Sequence, residues 1–188
     1  MRIVAGEFRG RPLLTPAGDR IRPTADRVRQ TVFDVLASSY GDPVPGARVL
    51  DLFAGTGAFG IEAISRGAAS VLFVEDGAEA RGLIRGNVEA FGLTGRTRIF
   101  RRDATRLGDA GTVQPFTLVF ADPPYGAGLG EKALAAAVAG GWIAPGATIV
   151  LEESAGAAVG SIAGLAEVET RRIGDTAVRF LALAADRP

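Results

Sequence analysis

The feature that most constrains this chain is a change of hydrophobic period at Ala47. From there, short β-branched runs (ARVLDLF, SVLFVE, TRIFRR, FTLVFA, ATIVLEE) are separated by helical stretches, and two further runs, AEVETRRI and AVRFLALA, follow each other directly. Strands that alternate with helices pair in parallel, because each crossover helix returns the chain to the same sheet edge, whereas adjacent runs joined by a short turn pair antiparallel. The pattern predicts an α/β fold with an open, mostly parallel seven-stranded sheet and a C-terminal antiparallel hairpin. The helix after the second run supports it, with Ala80, Leu83, Ile84, Val88 and Phe91 on one face. At 188 residues the chain suffices for one such domain. Ala133 to Leu151 carries no charge over 19 positions, but Gly140, Gly141, Pro145 and Gly146 interrupt it, so it reads as helix, turn and strand rather than a membrane span.

Ahead of the core, MRIVAGEFRGRPLLTP has two short apolar runs about a turn from Gly6 to Gly10 and reads as a hairpin. After Arg22-Pro23-Thr24, the positions Val28, Thr31, Val32, Val35 and Leu36 fall on one helical face, and Tyr40 to Pro43 ends the helix. The expected division is a 1–45 extension and a 46–188 core. The chain is neutral overall, with 21 basic and 21 acidic residues, yet residues 1–30 hold seven arginines against Glu7, Asp19 and Asp26. Burying the apolar stripe of the helix is expected to leave its arginines outward. With no Cys and no His, disulfides, thiolate or imidazole metal sites, a cysteine nucleophile and a Ser/His/Asp triad are all excluded. Chemistry must come from carboxylates, arginine, tyrosine, hydroxyls, backbone and a cofactor. The opening residues lack an apolar signal segment, so a cytoplasmic location is expected.

Two motifs occupy the C-terminal ends of predicted strands, where open parallel sheets hold ligands. DLFAGTGAFG follows the first strand, and Gly55, Gly57 and Gly60 satisfy the spacing that lets a backbone approach a ligand beneath a helix N-terminus. Glu75 ends the second strand, where a carboxylate can accept two ribose hydroxyls. Asp103, after the third strand, is placed to reach an adenine edge. Asp51 lies just before the turn and suits a zwitterionic methionine tail better than a pyrophosphate. D-x-F-A-G-T-G resembles motif I of S-adenosylmethionine-dependent class I methyltransferases, with NAD as the alternative cofactor.

The second motif, Asp122-Pro123-Pro124-Tyr125, follows the fourth strand. Consecutive prolines fix φ and remove two backbone donors, which leaves carbonyls and a carboxylate beside an aromatic face. An exocyclic amine needs such acceptors, since holding both N–H groups orients the nitrogen and stabilises the positive charge it gains on attack. Tyr125 is expected to act by stacking its ring on a flipped-out base. The absence of Cys excludes methylation at pyrimidine carbon 5, which proceeds through a thiolate.

These segments, with MRIVAGEFRGRPL, RPTADRVRQTVFDVL and VLDLFAGTGAFGIEAISRGA, resemble the RsmD family of bacterial 16S ribosomal RNA guanine-N2 methyltransferases over nearly the whole chain. The resemblance implies a Rossmann-like class I methyltransferase fold and S-adenosylmethionine as cofactor. Its target would be the N2 amine of a guanine, position 966 in standard 16S numbering. It places the cofactor at Asp51, Phe53, Ala54, Gly55, Thr56, Gly57, Glu75, Asp103 and Ala104, and the target base at Asp122, Pro123, Pro124 and Tyr125. Arg9, Arg11, Arg22, Thr24, Arg27 and Arg29 would line the RNA side. The partner implied is 16S RNA within an assembling small subunit, met by a monomer without membrane or metal. Alternatives from other classes are a DNA adenine or cytosine methyltransferase, a protein glutamine methyltransferase and a non-catalytic RNA-binding module.

Overall fold

A computed structural model of the chain describes residues 1–17 and 23–186, with the side chains of residues 23–25 and 186 not described. Arg22 lies outside the described residues, as does the side chain of Thr24. The sheet has seven strands in the order β3-β2-β1-β4-β5-β7-β6. β1 (Arg48–Leu52), β2 (Ser70–Val74), β3 (Thr97–Phe100), β4 (Phe116–Ala121) and β5 (Ile143–Ser154) are parallel, while β6 (Leu165–Ile173) and β7 (Thr176–Leu183) form the antiparallel hairpin, with β7 against β5. This is the topology expected from the alternation of periods. The uncharged stretch also resolves as expected, into the end of α4 (Leu129–Ala139), a turn and β5. No helix among the described residues is long and apolar enough to cross a membrane.

Strand burial explains the two-sided runs. In β4, Leu118 and Phe120 enter one apolar layer and Val119 and Ala121 the other, so both faces of the strand are covered. The first layer holds α1 (Pro23–Ser39), α2 (Ala58–Ser65) and α3 (Ala78–Ala90), with Phe33, Phe73, Phe120 and Phe180 at its centre. The second lies under α4, where Trp142 stacks on Phe116 and donates its indole N–H to Gly108 O at 2.7 Å.

The N-terminal segment closes as a small hairpin with one antiparallel bridge, Arg2 to Pro12, and backbone bonds from Ile3 N–H to Arg11 O (3.0 Å), Gly10 N–H to Ile3 O (2.8 Å) and Leu13 N–H to Met1 O (3.1 Å), and it is also fastened to the helices. The buried Glu62 of α2 accepts the amides of Val4 (2.8 Å) and Ala5 (2.9 Å), Ser65 Oγ accepts that of Phe8 (2.9 Å), and the buried Asn87 of α3 accepts that of Leu14 (2.6 Å). Ile3, Phe8 and Leu13 join the first apolar layer.

Arg29 corrects the outward-facing expectation. It is 1% exposed, its Nε lies 3.5 Å from Glu62 Oε2, and Nη2 contacts Asp26 Oδ1 at 3.0 Å and the Arg2 carbonyl. The buried face of α1 is wider than the stripe read from sequence, since it includes Phe33, four residues after Arg29.

Candidate active site

The chain runs outward from β1 to β3 and then returns to place β4 on the other side of β1. This makes β1/β4 the switch point of the sheet, the place where crossover connections diverge and leave a crevice at the strand ends. The crevice is found there. It encloses about 630 Å³ and brings together Phe53 and Gly55 from the turn after β1, Glu75 and Asp76 after β2, and the whole Asp122–Tyr125 motif after β4. Val28, Glu152 and Thr176 complete it.

The glycine turn takes its shape from backbone that most residues avoid. Gly55 and Gly57 have φ of 57° and 79°, and Phe53 adopts φ 59° despite its side chain, a conformation costing about 1–3 kcal/mol. Glu75 holds the turn in place. Its Oε2 accepts Gly55 N–H at 2.9 Å and its Oε1 accepts Gly77 N–H at 2.8 Å. Each oxygen has a second lone pair for a ligand hydroxyl.

Asp51 behaves differently from the sequence expectation. It is 2% exposed, does not line the crevice, and its Oδ2 accepts Gly60 N–H at 3.0 Å, bracing the first turn of α2. Gly60 itself has no room for a side chain, since a Cβ there would overlap the Phe73 ring. Burial pushes Asp51 up to about 8, against the opposing Gly60 hydrogen bond and with a further push from the Glu75 charge.

Of the other positions suggested for the cofactor, Ala54, Gly57 and Ala104 are buried in packing. Thr56 passes its carbonyl to Asn87 Nδ2 at 2.9 Å. Asp103 caps the short turn after β3, accepting the amide and hydroxyl of Thr105 at 2.8 and 2.7 Å, and these bonds hold its carboxyl below the usual range.

The Asp122–Tyr125 loop is fastened from β5 by two consecutive acids that the sequence reading did not single out. Glu152 Oε1 accepts the Tyr125 hydroxyl at 2.5 Å, and Glu153 Oε1 accepts Gly126 N–H at 3.1 Å. Burial and the Glu152 bond raise the Tyr125 phenol well above its ordinary value, so it stays protonated and its ring is held at the hydroxyl end as well as by the chain. Pro123 is buried against α4, where Gly130 leaves room for it. The one local signal for these acids was their place at the end of a strand buried on both faces, where carboxylates are costly unless bonded.

Among the basic residues, Arg9, Arg11 and Arg27 are exposed, although Arg11 is partly committed, with its guanidinium 4.1 Å over the Phe91 ring and Nη2 donating to Ala90 O at 2.6 Å.

Comparison with known proteins agrees with this arrangement. A family model described as conserved hypothetical protein 95 matches residues 1–182. The Escherichia coli ribosomal RNA small subunit methyltransferase D is 40% identical over 154 residues, covering 81% of this chain and 74% of the relative. The Haemophilus influenzae protein of the same name is 32% identical over 154 residues, covering 81% and 78%. Among solved structures, a candidate methyltransferase of Escherichia coli, yhhF, superimposes with a TM-score of 0.80 at 32% identity over 97% of both chains. With the class I methyltransferase topology, the crevice at its switch point and similarity along nearly its whole length, this chain belongs to the RsmD family.

Proposed function

We propose that the chain transfers a methyl group from S-adenosylmethionine to the exocyclic N2 amine of a guanine in 16S ribosomal RNA. The observation that carries this reading is that the Asp122–Tyr125 loop faces Glu75 across one crevice, so an amine-binding loop and a ribose-binding carboxylate share a single volume. Support for the RNA substrate comes from relatives named as small-subunit ribosomal RNA methyltransferases.

The lining residues also bear on the cofactor. Glu75, Asp76, Asp122 and Glu152 contribute carboxylates and no Arg or Lys lines the crevice among the described residues, an environment that repels a pyrophosphate and suits a positively charged sulfonium. Glu75 would hold the ribose, and Phe53 and Gly55 would lie against the ligand. When bound, S-adenosylmethionine supplies a methyl group made electrophilic by its positively charged sulfur. The chain's own part is orientation. The Asp122 carboxylate and the carbonyls of the two prolines accept the N–H groups of the target amine and offset the positive charge that grows on nitrogen. The Tyr125 ring, fixed by Glu152, gives the base a face to stack on. Residues 1–45 act as the RNA-facing extension on the 46–188 core, with Arg9, Arg11 and Arg27 toward the nucleic acid, and the protein works as a monomer on an assembling subunit.

Transfer of tritiated methyl to 16S RNA, DNA and release-factor protein, followed by nucleoside mass spectrometry, tests this. N2-methylguanosine in 16S RNA is expected. Label confined to DNA or protein, or on another RNA base, overturns the assignment.

A further inference from the structure

We infer that the outer edge of the sheet, between α3 and β3, is a second RNA-binding surface that holds phosphate backbone outside the crevice. This rests on the RNA methyltransferase reading and extends it from the target base to the flanking chain. The crevice cannot grip the backbone itself, because its carboxylates repel phosphates. Cations have to stand outside it.

Residues 81–106 hold seven arginines against two acids, Glu89 and Asp103, an excess comparable to that of the N-terminal arm. Several of them converge. Arg81, Arg85 and Arg101 line a concavity of about 560 Å³ together with Thr94 and Thr97, and Glu89 is the only acid among the described residues that line it. Arg85 and Arg101 make no ion pair among the described residues. Arg81 connects this concavity to the crevice, since its guanidinium donates to the carbonyl of Asp76, which lines the crevice wall. A strand of RNA whose target base enters the crevice therefore meets guanidinium groups as it leaves along α3.

The surface is dominated by guanidinium donors, which match phosphate oxygens. β3 is also the terminal strand of the sheet on this side, so no neighbouring strand covers it. Arg98, the next residue along β3 from Thr97, lines the adjoining concavity with Arg48 and Arg96 instead, and provides a comparison on the same strand.

The test is binding of a 16S RNA fragment containing the target hairpin, followed by fluorescence anisotropy over a series of salt concentrations. The proteins are the wild type, Arg85→Ala, Arg101→Ala, the double variant and Arg98→Ala. Removing one guanidinium–phosphate pairing should reduce the slope of log affinity against log salt by ~0.7 to 0.9, so the double variant should show about twice that reduction while its S-adenosylmethionine affinity by calorimetry stays at the wild-type value. A wild-type slope in the double variant overturns the inference. So does an equal fall in Arg98→Ala, which would mean that the slope reports net charge rather than this concavity. If the wild type binds the fragment but transfers no methyl group, the functional reading fails and the slope comparison still decides the surface. If the wild type does not bind RNA, both fall.

Discussion

Replacing Glu75 by glutamine tests the crevice severely, because the substitution looks conservative and the geometry says that it is not. Both carboxylate oxygens already accept a backbone N–H, from Gly55 at 2.9 Å and Gly77 at 2.8 Å. A glutamine has one oxygen, so whichever way its amide turns, an NH2 group confronts one of these donors. The change loses one charge-assisted hydrogen bond, worth about 1.5–3 kcal/mol, and leaves an amide N–H facing another donor. It also removes acceptor capacity for the ribose. Affinity for S-adenosylmethionine should therefore fall by roughly tenfold to a hundredfold or more. Isothermal calorimetry reads the affinity, and thermal denaturation in the absence of ligand shows how much of the loss belongs to the turn itself. If Glu75→Gln binds within about twofold of wild type and melts at the same temperature, the two-amide clamp is not what organises the glycine turn.

Four other substitutions have defined outcomes. Asp122→Ala should lower turnover by at least about a hundredfold with little change in cofactor affinity, and equal turnover would remove Asp122 from the chemistry. Tyr125→Phe keeps the ring but removes the hydroxyl bond by which Glu152 fixes it, so turnover should fall about tenfold rather than remain near wild type, as checked by single-turnover methylation. Because folding raises Asp51 to about 8, its contribution to stability is complete below the unfolded value near 3.8 and is lost as pH rises through the folded one. Asp51→Asn should thus remove a decline of up to about 1.4 kcal/mol per pH unit within that window, and denaturant titrations with identical pH dependence in both proteins would refute it. Arg29→Met leaves Glu62 short of a buried partner and should cost about 3 kcal/mol, a fall in melting temperature of roughly 6 to 12 °C by calorimetry.

Much of the architecture is legible in the sequence because it depends on local period. β-branched runs interrupted by helical stretches specify a parallel sheet without reference to any distant contact, and the motifs at the ends of β1 and β4 must then share an edge. What escapes the sequence depends on long-range pairing. Glu152 meets Tyr125 across 27 residues, and although its place at the end of a strand buried on both faces calls for a partner, nothing in the local sequence says which. Arg29 reads as outward because a guanidinium is ordinarily solvated, and only the partner Glu62, on a different helix, makes its burial tolerable. Asp51 differs from its expected place for a related reason. Its position before the turn suggests an open mouth, whereas the close approach of α2 encloses it.

The stapling of residues 1–14 has a consequence for vectorial synthesis. Val4 and Ala5 bond to Glu62 across 58 and 57 residues, and Leu14 to Asn87 across 73. On the ribosome the segment therefore emerges well before its partners on the helices, with only its own bridge and a few backbone bonds across the hairpin to hold it meanwhile. Val4, Ala5 and Phe8 can dock once α2 has been made, but the final clasp waits for α3, where Asn87 fastens Leu14 and the Thr56 carbonyl of the glycine turn with one side chain. The last clasp of the leading segment and the Asn87 brace on the glycine turn are thus made by one side chain, so a nascent chain stopped before α3 should lack both.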